Sequence, residues 1–297
     1  MAMNMSQFLL LADRDFSKVW MEQEDALPAE HASILNVGSF DGKLYRREAK
    51  MGGFGGLNAI ADGGKVQYGE ALTPVTKRYD FDTRGLAYVI TRKLWENDEY
   101  GEVRRLEGAL KRSTDDDIET FAFGLINNAR NTTISTGFDG LALSSLAHTR
   151  LDGGATQANQ ASTALSLASV KDGVTAFRKF KDDRGRPYNS RPNQLLIPVD
   201  LEYTAEEIIG SPDRPDTANR AVNALRKDRL SWKSSIRITS TTFWALLGPR
   251  HDINVLWRNR PVTSSMEDWP TKSAHRMVYY DAGRGHGEWR DSYFGQA

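Results

Sequence analysis

The feature that most constrains this chain of 297 residues is the glycine-rich segment MGGFGGLNAIADGG, at residues 51–64. Six of its fourteen residues are glycine. Glycine has no side chain to bury and loses more backbone entropy on folding than other residues, so this segment cannot build a core. We therefore predict a flexible tip, carried by whatever regular structure lies on either side.

Runs of alternating hydrophobic residues follow the tip, with the period of two that is typical of β-strands. They lie at 66–72, 75–81 and 86–90, and Pro74 separates the first two. One interpretation is an ordinary hairpin on a globular sheet. The other is a hairpin arm that leaves the domain. Because a lone hairpin is only marginally stable in water, such an arm would have to be held by another subunit.

The clearest helix follows, with hydrophobic residues every three or four positions from Val103 to Leu125. This pattern predicts one helix over about Glu99–Asn128, roughly 45 Å long at 1.5 Å per residue. A break at Ser113-Thr114, with a new N-cap before three aspartates, is the alternative. Consecutive helical positions point in different directions, so Asp115–Asp117 cannot converge on a metal ion.

The remaining elements are shorter. An amphipathic helix is predicted at Asp15–Leu27, ended by Pro28, and another opens at a capping box over Ser169–Asp172. The other expected elements are a buried strand at Gln194–Asp200, a short helix at Leu201–Ile209 closed by Gly210, strands at Ile236–Ile238, Asp252–Trp257 and His275–Tyr280, and a turn at GRGHG, residues 283–287.

Charge and composition exclude several classes of protein. Lys+Arg and Asp+Glu are 39 each, which argues against a dedicated nucleic-acid binder and removes long-range repulsion between copies. The absence of cysteine excludes disulfides, thiolate metal sites and cysteine nucleophiles. The N-terminus has no signal-peptide pattern, and no stretch approaches the ~20 apolar residues of a membrane helix. We expect neither a targeting signal nor a membrane partner.

The sequence also lacks the motifs of common active sites. The five histidines form no HExxH or similar metal spacing, and no GxSxG nucleophile motif is present. The segment MGGFGG lacks the GK[ST] ending of a phosphate-binding loop. We therefore predict no catalytic residue, no metal site and no cofactor.

Three local segments resemble a known family. YDFDTRGLAYVITRKLWENDEYG, residues 79–101, resembles the strand that leads into the long helix of tailed-phage major capsid proteins. Residues 137–159 resemble a second segment of these proteins, and residues 165–211 a third, in which a helix is followed by an apolar strand flanked by prolines and a further short segment. The matching positions are Asp139, Gly140, His148, Gly153, Gly154 and Asn159 in the second segment, and Pro192, Leu195, Leu196, Pro198, Leu201, Glu202, Ala205 and Ser211 in the third.

The order of parts is similar to the Hong Kong 97-type capsid fold, and within it to Mu-type major head subunits. Leu143 departs from the pattern, since many relatives have an aromatic residue there. The resemblance implies an α+β fold with five parts. They are an N-terminal arm (1–37), an extended loop (38–83), a peripheral domain with a spine helix (84–193, helix about 99–128), an axial domain (194–261) and closing strands of the peripheral domain (262–297).

The resemblance further implies a structural subunit, with no enzyme activity, that assembles into hexamers and pentamers of an icosahedral shell around double-stranded DNA. Scaffold, maturation protease and portal proteins are the implied partners, DNA would be enclosed without sequence-specific binding, and assembly would take place in the bacterial cytoplasm. The extended loop would lie across a neighbouring subunit. Its predicted inter-subunit contacts are Tyr68, Lys77, Arg78, Tyr79, Asp80 and Phe81.

Two hypotheses follow from these assignments. Deletion of Met51–Gly64 would leave a folded protein that cannot close shells, and charges at Lys77, Arg78 and Asp80 would fix contacts between subunits. Two alternatives stay open from the sequence. An encapsulin-like compartment shell would share the fold but enclose a cargo enzyme. A soluble mixed α/β enzyme would instead be a small oligomer with a concave pocket of converging polar groups.

Overall fold

The computed structural model describes residues 18–21, 29–40, 44–98, 101–211, 222, 223, 225, 230–268 and 270–297. The chain forms two compact units, and each is built from separate stretches of sequence. Unit 1 comprises residues 1–45, 80–122 and 255–283, and unit 2 comprises residues 46–79, 123–254 and 284–297. The five-part division expected from the sequence stays a prediction. Of the predicted helix at 15–27, residues 18–21 are helical, and the others lie outside the described residues.

Besides the helical residues 18–21, the described residues form eleven strands and five α-helices. The strands are β1 (Asn36–Ser39), β2 (Tyr45–Lys50), β3 (Val75–Asp80), β4 (Asp82–Thr91), β5 (Gln160–Ala161), β6 (Gln194–Pro198), β7 (Ser231–Ser235), β8 (Trp244–Leu247), β9 (Ile253–Asp268), β10 (Ser273–His286) and β11 (Ser292–Gly295). The helices are α1 (Glu30–Ile34), α2 (Arg92–Glu96), α3 (Glu102–Asn127), α4 (Leu167–Arg178) and α5 (Glu202–Ala205), and short 3-10 and π turns at Val199–Leu201 and Glu206–Gly210 flank α5.

Unit 1 packs one face of α3 against a four-stranded sheet of order β1-β9-β10-β4. Strands β4 and β10 pair antiparallel, from Thr91 opposite Ser273 to Asp82 opposite Ala282. The core lies between the helix and the sheet, because the hydrophobic stripe of α3 meets apolar side chains of β9 and β10. Its main cluster consists of Ile118, Phe121, Trp257, Tyr280 and Ala282.

Helix α3 confirms the long helix predicted from the hydrophobic spacing. It runs for 26 residues without a break at Ser113-Thr114. The Thr114 hydroxyl donates to the Leu110 carbonyl oxygen at 2.8 Å, so it is engaged with the preceding turn instead of capping a new helix. The cap lies at the true start, where the Asp98 carboxylate accepts from the backbone N–H groups of Glu102 and Val103 at 2.8 and 3.1 Å.

The three aspartates of α3 diverge, as helical geometry predicts. Asp115 pairs with Lys111 one turn earlier. Asp117 pairs with Arg84 of β4 and accepts a hydrogen bond of 2.7 Å from the Tyr280 hydroxyl. The acidic run is therefore used partly to attach α3 to its sheet.

The described part of the N-terminal arm docks on α3 of its own unit. The His31 backbone N–H donates to Glu119 Oε2 at 3.0 Å, and His31 Nδ1 lies 2.8 Å from Glu119 Oε1. His31 and Ile34 are both buried. These contacts pack the segment around His31 against α3 within the same chain.

Unit 2 contains a five-stranded sheet of order β5-β11-β8-β6-β7. Strand β6 lies between β7, to which it is parallel, and β8, to which it is antiparallel, and its Leu195, Leu196 and Ile197 are fully buried. This confirms the buried strand predicted at Gln194–Asp200, although the strand ends at Pro198. Helix α4 packs Val170 and Phe177 into the same core.

Several boundaries differ from the predictions. The capping box that opens α4 is formed by Ser166 and Ser169, so the helix begins three residues earlier than predicted. The strand predicted at Ile236–Ile238 is wrong, since β7 ends at Ser235 and residues 236–237 form a turn. Residues 66–72 form no strand, because no neighbouring strand pairs with them.

The predicted turn at GRGHG is also wrong, because β10 continues through His286. Its glycines serve close packing. A side-chain carbon added at Gly285 would lie 2.8 Å from the Tyr79 ring, and one added at Gly283 would lie 2.8 Å from the Asp80 carbonyl oxygen. Absence of a side chain here lets the neighbouring strand approach, so the glycines do not reverse the chain.

Candidate subunit interface

Strands β2 and β3 form a two-stranded sheet that carries the glycine-rich segment. Residues 51–74, here called the tip segment, contain no helix or strand. All of them are exposed except Gly52 and Leu72, which are half-buried. The prediction of a core-free tip on a hairpin base is confirmed, although its regular strands end sooner than expected.

The tip segment presents large hydrophobic side chains to solvent. Leu57 and Tyr68 are fully exposed, and more than half of each of the remaining four is exposed. The six side chains are Met51, Phe54, Leu57, Ile60, Val66 and Tyr68. Exposed apolar surface concentrated on one segment is typical of an interaction site, whereas scattered single residues need no explanation.

Polar contacts give the tip segment a defined path. The Asn58 side-chain amide donates to Gln67 Oε1 at 2.7 Å, and the Gly64 N–H donates to the Ala61 carbonyl oxygen at 2.8 Å. Gly53 and Gly63 have φ values of +64° and +76°, which lie in the left-handed region that favours glycine. Glycine is therefore required at these two positions by the backbone conformation.

The base of the hairpin is buried within unit 2. Lys77 Nζ donates to the Ser135 hydroxyl at 3.0 Å and to the His286 carbonyl oxygen, and it lies 4.3 Å from the centre of the Tyr79 ring. Burial lowers the pKa of Lys77 to about 7, although Asp252 and other nearby carboxylates act to raise it. Strand β3 is thus held to unit 2 by a lysine that has lost most of its hydration.

The predicted inter-subunit contacts fall into two groups. Tyr68, Arg78 and Asp80 are exposed on the chain and accessible to a second subunit. Lys77 and Tyr79 are buried, because alternate residues of β3 face the interior of unit 2. The last of the six, Phe81, is half-buried in unit 1 and stacks on Phe40 with ring centres 5.9 Å apart. The contact role of all six stays a prediction.

A charged cluster beside β2 was not predicted. Lys50 Nζ lies 2.7 Å from Asp183 Oδ2 and also pairs with Glu288. Arg290, which is 1% exposed, joins the same two carboxylates at 2.9 and 2.8 Å. Burial acts to raise the pKa of Asp183, but Lys50 and Arg290 outweigh it and lower the pKa. Lys50, Asp183 and Arg290 are each separated from the others by more than a hundred positions, so no local spacing could have revealed the cluster.

The motif residues between 137 and 159 converge on a buried hydrogen-bond chain. His148 Nδ1 lies 2.6 Å from Asp139 Oδ2, and His148 Nε2 lies 3.0 Å from Asn159 Oδ1. Burial acts to raise the pKa of Asp139, but the hydrogen bond and charge of His148 lower it overall. His148 also stacks on Trp289 with ring centres 4.1 Å apart. Both ring nitrogens of His148 are engaged and its ring is fully buried. These hydrogen bonds therefore have a structural role, and His148 offers no base to a substrate.

The described residues also include a cleft in unit 1. A cleft of about 500 Å³ in unit 1 is lined by residues of β4, α3 and β10, including Arg84 and Asp117, which pair with each other. No group of three or more His, Cys, Asp or Glu side chains in the described part of the chain could hold a metal ion. Among the described helices, none combines the length and apolar character needed to cross a membrane.

A family model described as phage capsid protein matches residues 74–293, well over half of the chain. The chain belongs to the phage capsid protein family. Sequence comparison with curated proteins finds no match to this capsid protein. Its membership settles the open alternatives in favour of a structural major capsid protein, the subunit of an icosahedral phage shell and a component of the virion.

Solved structures support the fold of this capsid protein. A chain from Microbacterium phage Oxtober96 matches with a TM-score of 0.57 at 10% identity, over 91% of this chain and 90% of that one. The bacteriophage JBD30 capsid matches with a TM-score of 0.57 at 13% identity, over 72% and 92%. A virus-like particle from Pyrococcus furiosus matches with a TM-score of 0.50 at 8% identity, over 95% and 98%.

These likenesses confirm the α+β, Hong Kong 97-type fold expected from the sequence. The virus-like particle has the same fold as the phage capsids. The fold alone therefore does not distinguish a phage capsid from another kind of particle. The closer resemblance to Mu-type head subunits stays a prediction.

Proposed function

We propose that the tip segment of each copy is seated on a neighbouring copy and that this contact closes hexamers and pentamers into a shell. The exposed hydrophobic side chains of a segment without a core carry this proposal. Alone, the segment cannot bury them, since it has no sheet face or helix to pack against. A neighbouring copy supplies the missing surface at every position of a symmetric shell.

The energetics favour assembly through many modest contacts. Complete burial of one Leu- or Phe-sized side chain is worth about 1.5–3 kcal/mol, so burying three of them gives roughly 5–9 kcal/mol before the cost of ordering the chain. A contact of this size is reversible when single and strong when repeated. Errors in a growing shell are then corrected before the shell closes.

The rigid base and the flexible tip have separate roles in this proposal. Lys77 and Tyr79 anchor β3 within the subunit, so the point where the arm leaves is constant. The glycines beyond it let one sequence follow the slightly different paths needed in rings of five and six. Hexamers and pentamers are then built from the same chain.

The shell encloses double-stranded DNA without reading its sequence and without catalysing a reaction. Formal net charge is zero, so the chain has no basic excess with which to bind phosphates strongly. Scaffold, maturation protease and portal proteins complete the set of proposed partners, and assembly takes place in the bacterial host cytoplasm. Membership of the phage capsid protein family supports the shell itself, and the resemblance of the sequence to tailed-phage major capsid proteins is the basis for these partners.

The test replaces hydrophobic tip residues and measures shell formation. The variant Phe54→Ser/Leu57→Ser/Tyr68→Ser is expected to fold and to stay as small oligomers, because the apolar contact is lost. Asp62→Ser/Lys65→Ser is the matched control, since both of its side chains are exposed in the same segment and its hydrophobic residues are intact. Size-exclusion chromatography separates shells in the void volume from subunits, and electron microscopy checks their shape. Normal shells from the triple variant would refute the proposal.

Exposed charges of β3 provide a second measurement on the same contact. Arg78→Glu and Asp80→Lys are each expected to slow assembly at low salt, and the effect should shrink as salt screens the charges. Lys77 is left unchanged because it is buried in its own subunit. If both single variants assemble at the wild-type rate at every salt concentration, these charges do not contribute to the contact.

A further inference from the structure

A short turn between α4 and β6 has no role in the function proposed so far. Residues 181–187, with the sequence KDDRGRP, are here called the arginine turn. Lys181 and Pro187 pair as an antiparallel bridge, and Asp182 Oδ1 accepts from the N–H groups of Arg184 and Arg186 at 2.9 and 2.8 Å. Gly185 has a φ of +77°. The turn is therefore fixed by its own hydrogen bonds before it meets any other segment.

The arginine turn is also fixed to the body of unit 2. Arg290 Nε donates to the Lys181 carbonyl oxygen at 2.6 Å. Gln157 also bonds Lys181: its side-chain oxygen accepts from the Lys181 N–H at 2.7 Å, and its amide donates to the Lys181 carbonyl oxygen at 3.1 Å. Three hydrogen bonds therefore attach the main chain of the turn, at Lys181, to Arg290 and Gln157.

The arginines of this turn form hydrogen bonds with both ends of the tip segment. Arg184 Nη2 donates to the carbonyl oxygens of Glu70 at 2.6 Å and Gly53 at 3.3 Å. Arg186 Nη2 donates to the carbonyl oxygens of Gly55 at 2.6 Å and Phe54. The outgoing arm is held at 53–55 and the returning arm at 70, which together form the neck of the segment. Just before the neck, Lys50 pairs with Asp183 of the same turn.

We propose that the arginine turn is a collar that sets the direction in which the tip segment leaves its subunit. This inference rests on the proposed function, in which the tip reaches a neighbouring copy. Every acceptor in the neck is a main-chain carbonyl oxygen, so the collar holds the path of the backbone regardless of the side chains. By fixing the neck in advance, it reduces the entropy that the tip loses when it docks.

The position of the collar distinguishes it from a latch that would hide the tip before assembly. A latch would cover the apolar side chains that make the contact. Here Leu57 and Tyr68, which lie beyond the neck, are fully exposed while the arginines are engaged. The geometry therefore presents the tip to a partner, so loss of the collar should impair assembly instead of releasing it.

The test neutralises both arginines in the full chain. Arg184→Gln/Arg186→Gln removes the guanidinium groups, and Arg178→Gln/Lys179→Gln is the control that removes the same charge from exposed positions of α4 and its C-cap. Hydrogen–deuterium exchange of the unassembled subunits is measured first. The collar predicts several-fold faster exchange within residues 51–74 in the first variant, at the Leu72 N–H that donates to the Gly53 carbonyl oxygen across the neck, and no change in the control. Electron microscopy then scores the shells, which should be fewer and irregular.

Each outcome decides the inference. Unchanged exchange at 51–74 would overturn the collar, and so would faster exchange combined with normal shells. Faster assembly than wild type would identify a latch. Arg184→Lys/Arg186→Lys guards against misfolding, because it keeps the charge, loses the planar guanidinium and should give an intermediate exchange rate. If the tip triple-serine variant forms normal shells, the proposed function fails, whereas the exchange measurement still reports on the collar itself.

Discussion

Helix α3 is joined to strand β10 by a buried ion pair, and breaking it should be among the most costly changes in unit 1. Arg276 Nη2 and Nε lie 3.3 and 3.4 Å from Glu107 Oε1. The Tyr88 hydroxyl donates to the other carboxylate oxygen of Glu107 at 2.7 Å. Burial raises the pKa of Tyr88, and this hydrogen bond raises it further. Glu107 and Arg276 are 0% and 1% exposed.

The expected magnitude follows from these distances. Two unit charges 3.3 Å apart attract with about 5 kcal/mol at an effective dielectric constant of ~20, and desolvation of both ions offsets most of it. An intact pair therefore adds little net stability. Arg276→Met leaves the Glu107 carboxylate buried without its cation, and we expect the free energy of unfolding to fall by about 3–5 kcal/mol.

A double-mutant cycle separates these contributions. Glu107→Met/Arg276→Met replaces both ions with apolar side chains of similar length, so we expect it to cost less than about 2 kcal/mol, well below the single Arg276→Met variant. Urea unfolding of unassembled subunits, followed by far-UV circular dichroism, gives each value. A loss under about 1 kcal/mol for Arg276→Met, or a double variant as unstable as the sum of its singles, would refute the reasoning.

Three further predictions concern unit 2. Burial lowers the pKa of His286 to about 3 from its ordinary 6.5, so its contribution to stability is present above pH 6.5 and lost as the pH falls toward 3. His286→Leu should flatten that acid loss by up to about 1.4 kcal/mol per pH unit in urea titrations at stepped pH, and an unchanged slope would count against it. Gly295→Ala would place a carbon 2.0 Å from Trp244 Cε2, so we expect a loss of about 1–3 kcal/mol and a lower melting temperature; wild-type melting would show that the strand can shift. Phe177→Ala empties a fully buried site and should cost about 3–5 kcal/mol in the same urea assay, whereas a cost below about 1 kcal/mol would mean that the core collapses around the gap.

The sequence by itself determined the features that depend on neighbours within a few residues. Helix α3 was predicted at 99–128 and lies at Glu102–Asn127, because its hydrophobic stripe and backbone hydrogen bonds join residues only three or four positions apart. The lack of a core in the tip segment was equally predictable, since glycine contributes no side chain wherever the chain goes. The buried strand β6 followed from its unbroken apolar run.

Only the tertiary structure decided which predicted strands find a partner and which face of each is buried. The alternation at 66–72 resembles that of β3, yet only β3 lies beside another strand. Sequence alternation likewise could not tell that Lys77 faces inward and Arg78 outward. Lys50, Asp183 and Arg290 meet across more than a hundred residues, and the arginines of the 181–187 turn bind main-chain oxygens that leave no trace in the sequence. Such contacts depend on how the whole chain folds, and local patterns contain no information about distances in space.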